Sequence, residues 1–266
     1  MPEMGDRFGW LGTGRMGAAM GERLLDSGVP LVVWNRSPEK TAPLAGRGAK
    51  VAGSIAELAA TSDVVFTMVT GSGEMLEVVA GLLGADTRPA VIVDCSTTSE
   101  EASAQAREAC TSHGVAFVAA PVSGDPAMVR NGAAAIVCSG PDDAFARVQP
   151  VLDQIAPTVV YAGPGEQARL AKLCSNLILG VFGQAMVEVA ALAAQGGIEP
   201  AKFAEFLNGS VVGSTYVRHK GRSVAAGTPM PSAARAALQR DFDTSLRAAG
   251  DLDQPMPLSA LVRQLL

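Results

Sequence analysis

The sequence predicts an α/β protein in which a doubly wound parallel sheet is followed by an all-α C-terminal domain. Short apolar runs alternate with alanine-rich helical segments through the first part of the chain. A glycine-rich turn follows the first of these runs, and after Gly163 no further strand pattern is visible. Strand–helix alternation with nearly continuous apolar strands is typical of a parallel sheet that helices cover on both faces.

The predicted strands are short apolar runs bounded by Gly, Asp, Ser or Pro. Two later runs, 133–139 and 158–161, are expected to extend the sheet that the earlier runs form. The earlier runs lie at residues 8–11, 31–34, 64–69, 91–94 and 115–118.

The predicted helices of the first part carry N-terminal signals. Ser54 followed by Glu57 forms a capping-box pattern, and Thr97 or Ser99 stands ahead of an acidic pair in a similar way. These helices are predicted at residues 16–26, 54–60, 73–83 and 100–112.

The second part of the chain is predicted to be helical. One long helical pattern runs over residues 166–195 and ends at Gly196, and a loop is expected near residues 227–232. We therefore expect two domains, with the sheet in residues 1–163 and the helices, including the long interdomain helix, in residues 164–266.

Composition and charge exclude several classes of function. The chain has 266 residues, of which 48% are hydrophobic and 18% charged, which is the balance of a folded domain. A net charge of −5 disfavours binding to nucleic acid or to an anionic membrane. Residues 1–8 lack the apolar stretch of a secretory signal, and residues 173–187 are too short to span a bilayer, so a buried helix is predicted there. We expect a cytoplasmic protein.

The four cysteines do not predict a metal site. Cys95, Cys110, Cys138 and Cys174 form no C-x-x-C pair, and the chain has only two histidines. The sequence therefore predicts no metal, and four small buried thiols in a reducing compartment.

A glycine motif marks a dinucleotide site. Residues 12–17 fit the pattern G-x-G-x-x-G, directly after an apolar strand and at the start of a helix, which is the Rossmann context that the pattern requires. The first glycine permits the tight turn, the second lets the backbone approach a pyrophosphate, and the third brings the helix close to the sheet. A glycine-rich turn without a ligand is the alternative. The cofactor-binding residues predicted here are Gly12, Thr13, Gly14, Arg15, Met16 and Gly17.

The end of the second predicted strand favours NADP over NAD. An Asp or Glu usually meets the free ribose 2′-hydroxyl of NAD at this point, whereas this chain has Asn35, Arg36 and Ser37. A carboxylate repels a 2′-phosphate, and a guanidinium binds it with two hydrogen bonds. The alternative is that Arg36 stacks on adenine or faces water, and NAD stays possible.

Several blocks of the sequence, in order, resemble those of the β-hydroxyacid dehydrogenase family, relatives of 3-hydroxyisobutyrate and 6-phosphogluconate dehydrogenases. The combination is more specific than any single block and covers nearly the whole chain. The blocks are residues 10–20, 94–97, 120–124 and 163–165, then Lys172 with Asn176, and finally Arg240 with Asp241.

The resemblance implies hydride transfer between a nicotinamide cofactor and a small hydroxy acid, semialdehyde or keto acid. It implies that Lys172 is the general acid and base and that Asn176 orients the substrate. Ser123 and Gly124 would bind the substrate carboxylate. Ser96 and Thr97 would border the nicotinamide ribose, and Arg240 stands where a lysine of the family approaches the cofactor.

The chemistry of the reaction also favours Lys172. Oxidation of an alcohol by hydride transfer needs a group that accepts the hydroxyl proton, and reduction needs one that donates it. Lys172 and Asn176 are four residues apart, so on a helix they share one face. Their neighbours are mostly apolar, and partial burial lowers the pKa of a lysine. Without the resemblance, a solvated lysine on a helix edge is the alternative.

Four departures from the family pattern bear on the substrate and on the chain length. Ala119 stands where relatives commonly have Asp, Arg240 replaces a lysine, and the chain ends at Leu266, so a short C-terminus is expected. Asp125 replaces a glycine beside the carboxylate-binding loop. It either caps its own loop or selects a substrate without a small carboxylate there. We expect the selective role, and hence weak activity on short 3-hydroxy acids that Asp125→Gly raises.

Two other functions stay open. An NADP-dependent imine reductase would share the fold and the cofactor, although such relatives generally lack a lysine at position 172. A non-catalytic NADP-sensing or nucleosome-associated module is disfavoured by the acidic charge and by Lys172.

The long helix also predicts assembly. Its apolar residues are spread around most of its circumference, and the remaining residues of the helical domain are too few to surround it. We therefore expect a homodimer or a larger homo-oligomer.

Overall fold

The computed structural model describes residues 5–266, apart from the side chain of Ala233. The chain divides into two compact units, residues 1–172 and 173–266. The first unit holds a nine-stranded sheet in the order β3-β2-β1-β4-β5-β6-β8-β7, with β9 paired to β8. Its strands are β1 (Phe8–Leu11), β2 (Leu31–Trp34), β3 (Lys50–Val51), β4 (Val64–Thr67), β5 (Val91–Asp94), β6 (Ala116–Ala119), β7 (Val122–Ser123), β8 (Ala135–Ser139) and β9 (Thr158–Gly163).

Helices connect the strands of the first unit. The first six strands pair in parallel, so the predicted strand–helix alternation and doubly wound sheet are confirmed. The helices are α1 (Arg15–Asp26), α2 (Ala42–Ala45), α3 (Ile55–Ala60), α4 (Ser72–Leu83), α5 (Glu100–Ser112), α6 (Pro126–Arg130) and α7 (Asp142–Ile155), with a 3-10 turn at Pro38–Thr41.

The sheet is not parallel throughout. β8 runs antiparallel to both β6 and β7, whereas β9 is parallel to β8. The connection from β7 to β8 holds only the five-residue helix α6. A parallel crossover needs a dozen or more residues, usually with a full helix, so the chain turns back instead. The long helix α7, which the strand pattern did not predict, supplies such a crossover between β8 and β9.

The core lies on both faces of the central strands. Every residue of β1, β4 and β5 is buried, as their continuous apolar sequences predict. Trp10 on β1 stacks on Phe66 of β4 with ring centroids 5.5 Å apart. This rigid centre fixes the carboxyl ends of the strands, where the loops of the candidate site begin.

Two predicted helix starts are confirmed by their hydrogen bonds. The Ser54 hydroxyl accepts from the backbone N–H of Glu57 at 3.1 Å, and the Ser99 hydroxyl accepts from that of Ala102 at 3.3 Å. Of the two candidates ahead of α5, Ser99 and not Thr97 is therefore the cap.

The second unit is helical. Its core is small and centres on Leu177, Phe242 and Val262. Phe242 packs directly on Gly180, where an added Cβ would collide with the ring. Its helices are most of α8 (Gln167–Gln195), which begins in the first unit, then α9 (Pro200–Gly209), α10 (Thr215–Ala225), α11 (Ser232–Asp251) and α12 (Pro257–Leu265).

Helix α8 differs from the predicted buried helix. It has 29 residues, and its most apolar window has a mean hydropathy of 1.9 with only 28% of the window buried. By length and composition alone it is long enough to cross a membrane, so the prediction that the segment is too short was wrong. Ile178 and Leu192 are 69% and 73% exposed. One chain by itself leaves much of this helix uncovered.

The cysteines are buried with one exception. Cys95, Cys110 and Cys138 lie in the core of the first unit, and burial raises the pKa of the Cys110 and Cys138 thiols to about 12. Cys174 on α8 is exposed, so the prediction of burial was wrong for this residue.

Candidate active site

The predicted glycine loop joins β1 to α1. Gly12 has a φ of +94°, and an added Cβ would fall on the carbonyl oxygen of Met68. A Cβ at Gly17 would fall on the carbonyl oxygen of Gly12, so only glycine allows α1 to begin this close to β1. Gly14 differs from both, because it is exposed and a Cβ there would meet no protein atom within 4 Å. Gly14 therefore faces open space at the start of α1.

Asn35 holds this loop in place. Its Oδ1 accepts a hydrogen bond from the backbone N–H of Thr13 at 2.9 Å, and its Nδ2 donates to the carbonyl oxygen of Ser37 at 3.0 Å. The hydroxyl of Thr13 is buried and has no hydrogen-bond partner among the described residues. A buried polar atom without a partner is costly, so this hydroxyl fits a ligand that supplies one.

A cleft of about 300 Å³ opens beside the loop, within the first unit. One part of its wall carries the cations Arg36 and Lys40, with Ser37 between them. Lys40 was not among the predicted cofactor residues, although its position four residues after Arg36, past the end of β2, indicates such a role. The lining also includes Gly12, Gly14, Trp34, Asn35, Met68, Val69, Thr70, Glu74 and Glu77.

Arg36 has an acidic neighbour in the same cleft. Its Nη2 lies 3.3 Å from Oε1 of Glu74, and the Arg36 side chain is 76% exposed. The other oxygen of Glu74, Oε2, is buried without a hydrogen-bond partner among the described residues. The cleft therefore holds both a cation for a phosphate and a carboxylate that competes for that cation.

Arg15 and Met16 occupy the first turn of α1. Arg15 is exposed, whereas Met16 is half-buried and packs against the core. The side chain of Met16 therefore supports α1, and what Met16 offers a ligand is its backbone N–H at a helix N-terminus.

A buried network lies at the carboxyl end of β5. Oδ1 of Asp94 accepts hydrogen bonds at 2.7 Å from the hydroxyls of Thr67 and Ser96. The Ser96 hydroxyl in turn accepts from the backbone N–H of Val69 at 2.9 Å. Ser96 is fully buried and its side chain supports the loop, and its place beside the nicotinamide ribose stays a prediction. Thr97 is the exposed member of the pair.

The network includes an arginine that was not among the predicted site residues. Arg169, near the start of α8, is 1% exposed and forms an ion pair with Asp94, with Nη2 2.5 Å from Oδ2. Nothing in the pattern of charged residues separates Arg169 from a solvated arginine.

The predicted carboxylate-binding loop lies between β7 and α6. Ser123 ends β7 and is half-buried, and Gly124 has a φ of +142° that favours glycine. The carboxylate of Asp125 accepts from the backbone N–H of Met128 at 2.9 Å and caps α6. The structure therefore gives Asp125 the capping role, and its effect on substrate choice stays a prediction.

Lys172, Asn176 and Arg240 lie on helices. Lys172 is half-buried at the end of the first unit, and Asn176 follows four residues later on α8, in the second unit. Asn176 donates from Nδ2 to Oδ2 of Asp241 at 3.0 Å. Arg240 is exposed on α11. Among residues 5–266, no group of three or more His, Cys, Asp or Glu residues is arranged to hold a metal ion.

A mostly parallel sheet, a glycine loop and a cleft with cations beside β2 together define an NAD(P)-binding Rossmann domain. Residues 7–163 match the family model described as the NAD-binding domain of 6-phosphogluconate dehydrogenase. Residues 166–266 match the model described as NAD-binding of NADP-dependent 3-hydroxyisobutyrate dehydrogenase. The chain therefore belongs to the β-hydroxyacid dehydrogenase family, whose members transfer a hydride between a nicotinamide cofactor and a small hydroxy acid or its carbonyl counterpart.

Individual relatives agree with this assignment. A 3-hydroxyisobutyrate dehydrogenase of Pseudomonas aeruginosa is 28% identical over 96% of this chain and 89% of its own length. The solved Mycobacterium tuberculosis 3-hydroxyisobutyrate dehydrogenase with L-serine has a TM-score of 0.84 at 25% identity, covering 97% and 91% of the two chains. A solved complex with NADP+ and 2-OPP has a TM-score of 0.82 at 26% identity, covering 97% and 92%.

Imine reductases share the fold. A Pseudomonas sp. imine reductase aligns with a TM-score of 0.64 at 22% identity, covering 96% of this chain and 90% of its own. At this identity the likeness concerns the fold alone, and hydroxy-acid chemistry fits the relatives better.

The glycine loop yields a paired prediction. Gly14→Ala should fold normally, because its φ of −65° suits alanine and the Cβ meets no protein atom. It should weaken nicotinamide-cofactor binding by about tenfold or more, because the methyl occupies the approach to the pyrophosphate. Gly17→Ala should instead lower the free energy of unfolding by about 1–3 kcal/mol, the usual cost of overpacking. Calorimetric titration measures the cofactor affinity of each variant, and urea unfolding measures its free energy of unfolding. Equal behaviour of the variants would contradict the assigned roles.

Proposed function

We propose that the protein is an NADP-dependent 3-hydroxyacid dehydrogenase or reductase, acting on a small hydroxy acid or on the matching semialdehyde or keto acid. The observation that carries the proposal is the cationic wall of the cleft beside β2. Arg36 and Lys40 line it, and Asn35 occupies the position at which NAD-binding chains usually have a carboxylate. NAD is the alternative cofactor, favoured only by Glu74.

The residues of the cleft fit a dinucleotide. The backbone N–H groups of residues 14–17 at the start of α1 would hold the pyrophosphate, and the buried Thr13 hydroxyl would gain a partner. Arg36, Ser37 and Lys40 would hold the 2′-phosphate, and Thr97 would border the nicotinamide ribose. When bound, the cofactor supplies the hydride acceptor or donor.

Lys172 would move the proton of the reaction. In oxidation its neutral amine accepts the hydroxyl proton of the substrate, and in reduction its ammonium returns a proton to the same oxygen. Ser123 and the backbone N–H groups around Gly124 would bind the substrate carboxylate, while Asn176, held by Asp241, would orient the substrate. Arg240 would approach the cofactor, as the resemblance implies.

The remaining assignments follow the same proposal. Residues 1–163 would form the NADP-binding domain and residues 164–266 the substrate and dimerisation domain. The proposal includes a cytoplasmic location, and a net charge of −5 disfavours nucleic-acid and anionic-membrane partners.

The cofactor preference yields a prediction with two variants. Arg36→Ala should weaken NADPH binding roughly 10- to 100-fold, the scale of losing charge-assisted hydrogen bonds, and should leave NADH binding unchanged. Glu74→Gln should strengthen NADPH binding by about two- to fivefold, because it releases Arg36 from an exposed ion pair of modest strength. Calorimetric titration measures both affinities.

Arg47→Ala is the matched control, because Arg47 pairs with Asp26 instead of lining the cleft. It should change neither affinity. If Arg36→Ala weakens NADH as much as NADPH, or if wild-type protein prefers NADH, the NADP assignment is wrong.

The reaction is tested with a substrate panel. We expect NADPH oxidation with semialdehyde acids or keto acids and none with cyclic imines. Lys172→Ala should lower turnover by about 100-fold or more, the usual scale for general acid–base catalysis, with little effect on NADPH affinity. Turnover of imines alone would identify an imine reductase. An absence of turnover with every substrate, despite tight NADPH binding, would favour a sensing module.

Helix α8 supports a homodimer. Its apolar window is 28% buried in one chain, and Leu192 on this helix is 73% exposed, as is 68% of Phe206 on α9. A second copy of the chain would remove this surface from water.

Light scattering at micromolar concentration should therefore give twice the mass of one chain. Leu192→Glu should shift the equilibrium toward monomer, because it places a charge in an apolar interface. Lys50→Glu, a charge change on the exposed strand β3, is the control and should have no effect. A monomeric wild-type protein, or one that requires detergent to stay in solution, would contradict the homodimer.

A further inference from the structure

The first turn of α8 contains a fully buried guanidinium. Arg169 is 1% exposed and donates three hydrogen bonds, all within the first unit. Nε donates to the Ser103 hydroxyl at 3.2 Å, Nη1 to the Ser96 carbonyl oxygen at 2.6 Å, and Nη2 to Asp94 at 2.5 Å. The three acceptors belong to the end of β5, the loop after it and α5. One side chain therefore ties α8 to three parts of the sheet domain.

The ion pair between Arg169 and Asp94 is connected by hydrogen bonds to the lining of the cofactor cleft. Asp94 is fully buried, and its second oxygen accepts from Thr67 and Ser96. Ser96 accepts from the backbone N–H of Val69, which lines the cleft. The loops after β4 and β5 and the start of α8 are thus fixed to one another.

A buried ion pair is weak evidence for a role in stability alone. Burying two charges costs several kcal/mol per ion, and apolar residues of similar volume often stabilise a protein equally well or better. What the guanidinium provides is geometry, because its planar fork holds several acceptors at fixed angles. Lys172 lies three residues further along α8, about 4.5 Å along the helix axis at 1.5 Å per residue, and on the same side.

We propose that Arg169 is a positioning residue, which with Asp94 sets the placement of Lys172 against the loop that carries Thr97. The inference rests on the proposed role of Lys172 in proton transfer. The guanidinium itself contacts neither cofactor nor substrate, and it acts by holding the helix turn that precedes Lys172.

The test uses Arg169→Lys in the full-length protein. Lysine keeps the positive charge beside Asp94 but cannot reach all three acceptors, so the protein should stay folded with a misplaced helix start. We expect turnover to fall about tenfold or more, the scale of losing well-placed acid–base help, with the NADPH dissociation constant within about twofold of wild type. The kinetic isotope effect with deuterated NADPH should increase, because the chemical step becomes slower. Arg7→Lys, at the exposed pair with Asp63, is the control.

A second readout does not depend on activity. Acetic anhydride labelling followed by peptide mass spectrometry gives the modification rate of Lys172, with the exposed Lys50 as internal reference. Arg169→Lys should change the rate at Lys172 about threefold or more, since local geometry and solvation set amine reactivity, and leave Lys50 unchanged. If wild-type protein is inactive but this rate changes, the proposed function fails and the positioning role stands.

Unchanged turnover, isotope effect and labelling in a folded Arg169→Lys protein would overturn the inference.

Should this variant fail to fold, Arg169→Met combined with Asp94→Leu replaces it, because an apolar pair of similar volume often restores stability. Recovery of stability without recovery of turnover supports a positioning role. Recovery of both shows that the charge pair serves folding alone.

Discussion

The buried ion pair between Arg169 and Asp94 is the interaction on which the organisation of the candidate site depends. An uncompensated charge in a protein interior is strongly unfavourable, so neither residue can be buried unless the other is in place. The two are 75 positions apart in the sequence, and their pairing requires β5 and the start of α8 to be correctly formed. Arg107 adds a second tie just before α8, donating to Glu166 at 2.8 Å and to the carbonyl oxygen of Gly165 at 2.9 Å.

In the cofactor cleft, backbone groups and charged side chains have different roles in recognition. The glycines allow a close approach of main-chain donors, which suits any dinucleotide, whereas the discrimination between cofactors lies in side chains beside β2. There, Arg36 and Lys40 favour a phosphate, and Glu74 opposes them. Because the Arg36 side chain is largely exposed, water and salt weaken its ion pair with Glu74, so the pair does not prevent Arg36 from binding an anionic ligand.

Local patterns predicted most of the fold and part of the site. The longer strands, the cap at Ser54 and the glycine loop depend on neighbours in sequence, so periodicity and motif spacing were sufficient, whereas the two-residue strands β3 and β7 were not predicted. The antiparallel β8, the burial of Ser96 and the buried Arg169 depend on partners far along the chain, and no local signal encodes them. The exposure of Cys174 and of much of α8 was missed for a related reason. An apolar sequence indicates a preference for burial but not which surface provides it.

The placement of the aromatic residues has a spectroscopic consequence. The chain has two tryptophans, and both lie in the first unit. The Trp10 indole donates to the carbonyl oxygen of Gly12 at 3.0 Å, behind the glycine loop, while Trp34 lines the cofactor cleft. Intrinsic indole emission therefore reports on the sheet domain and on occupancy of its cleft, with one chromophore beneath the loop and one in the wall. The helical unit contains Tyr216 but no tryptophan, so an optical probe placed there by substitution would report its unfolding separately.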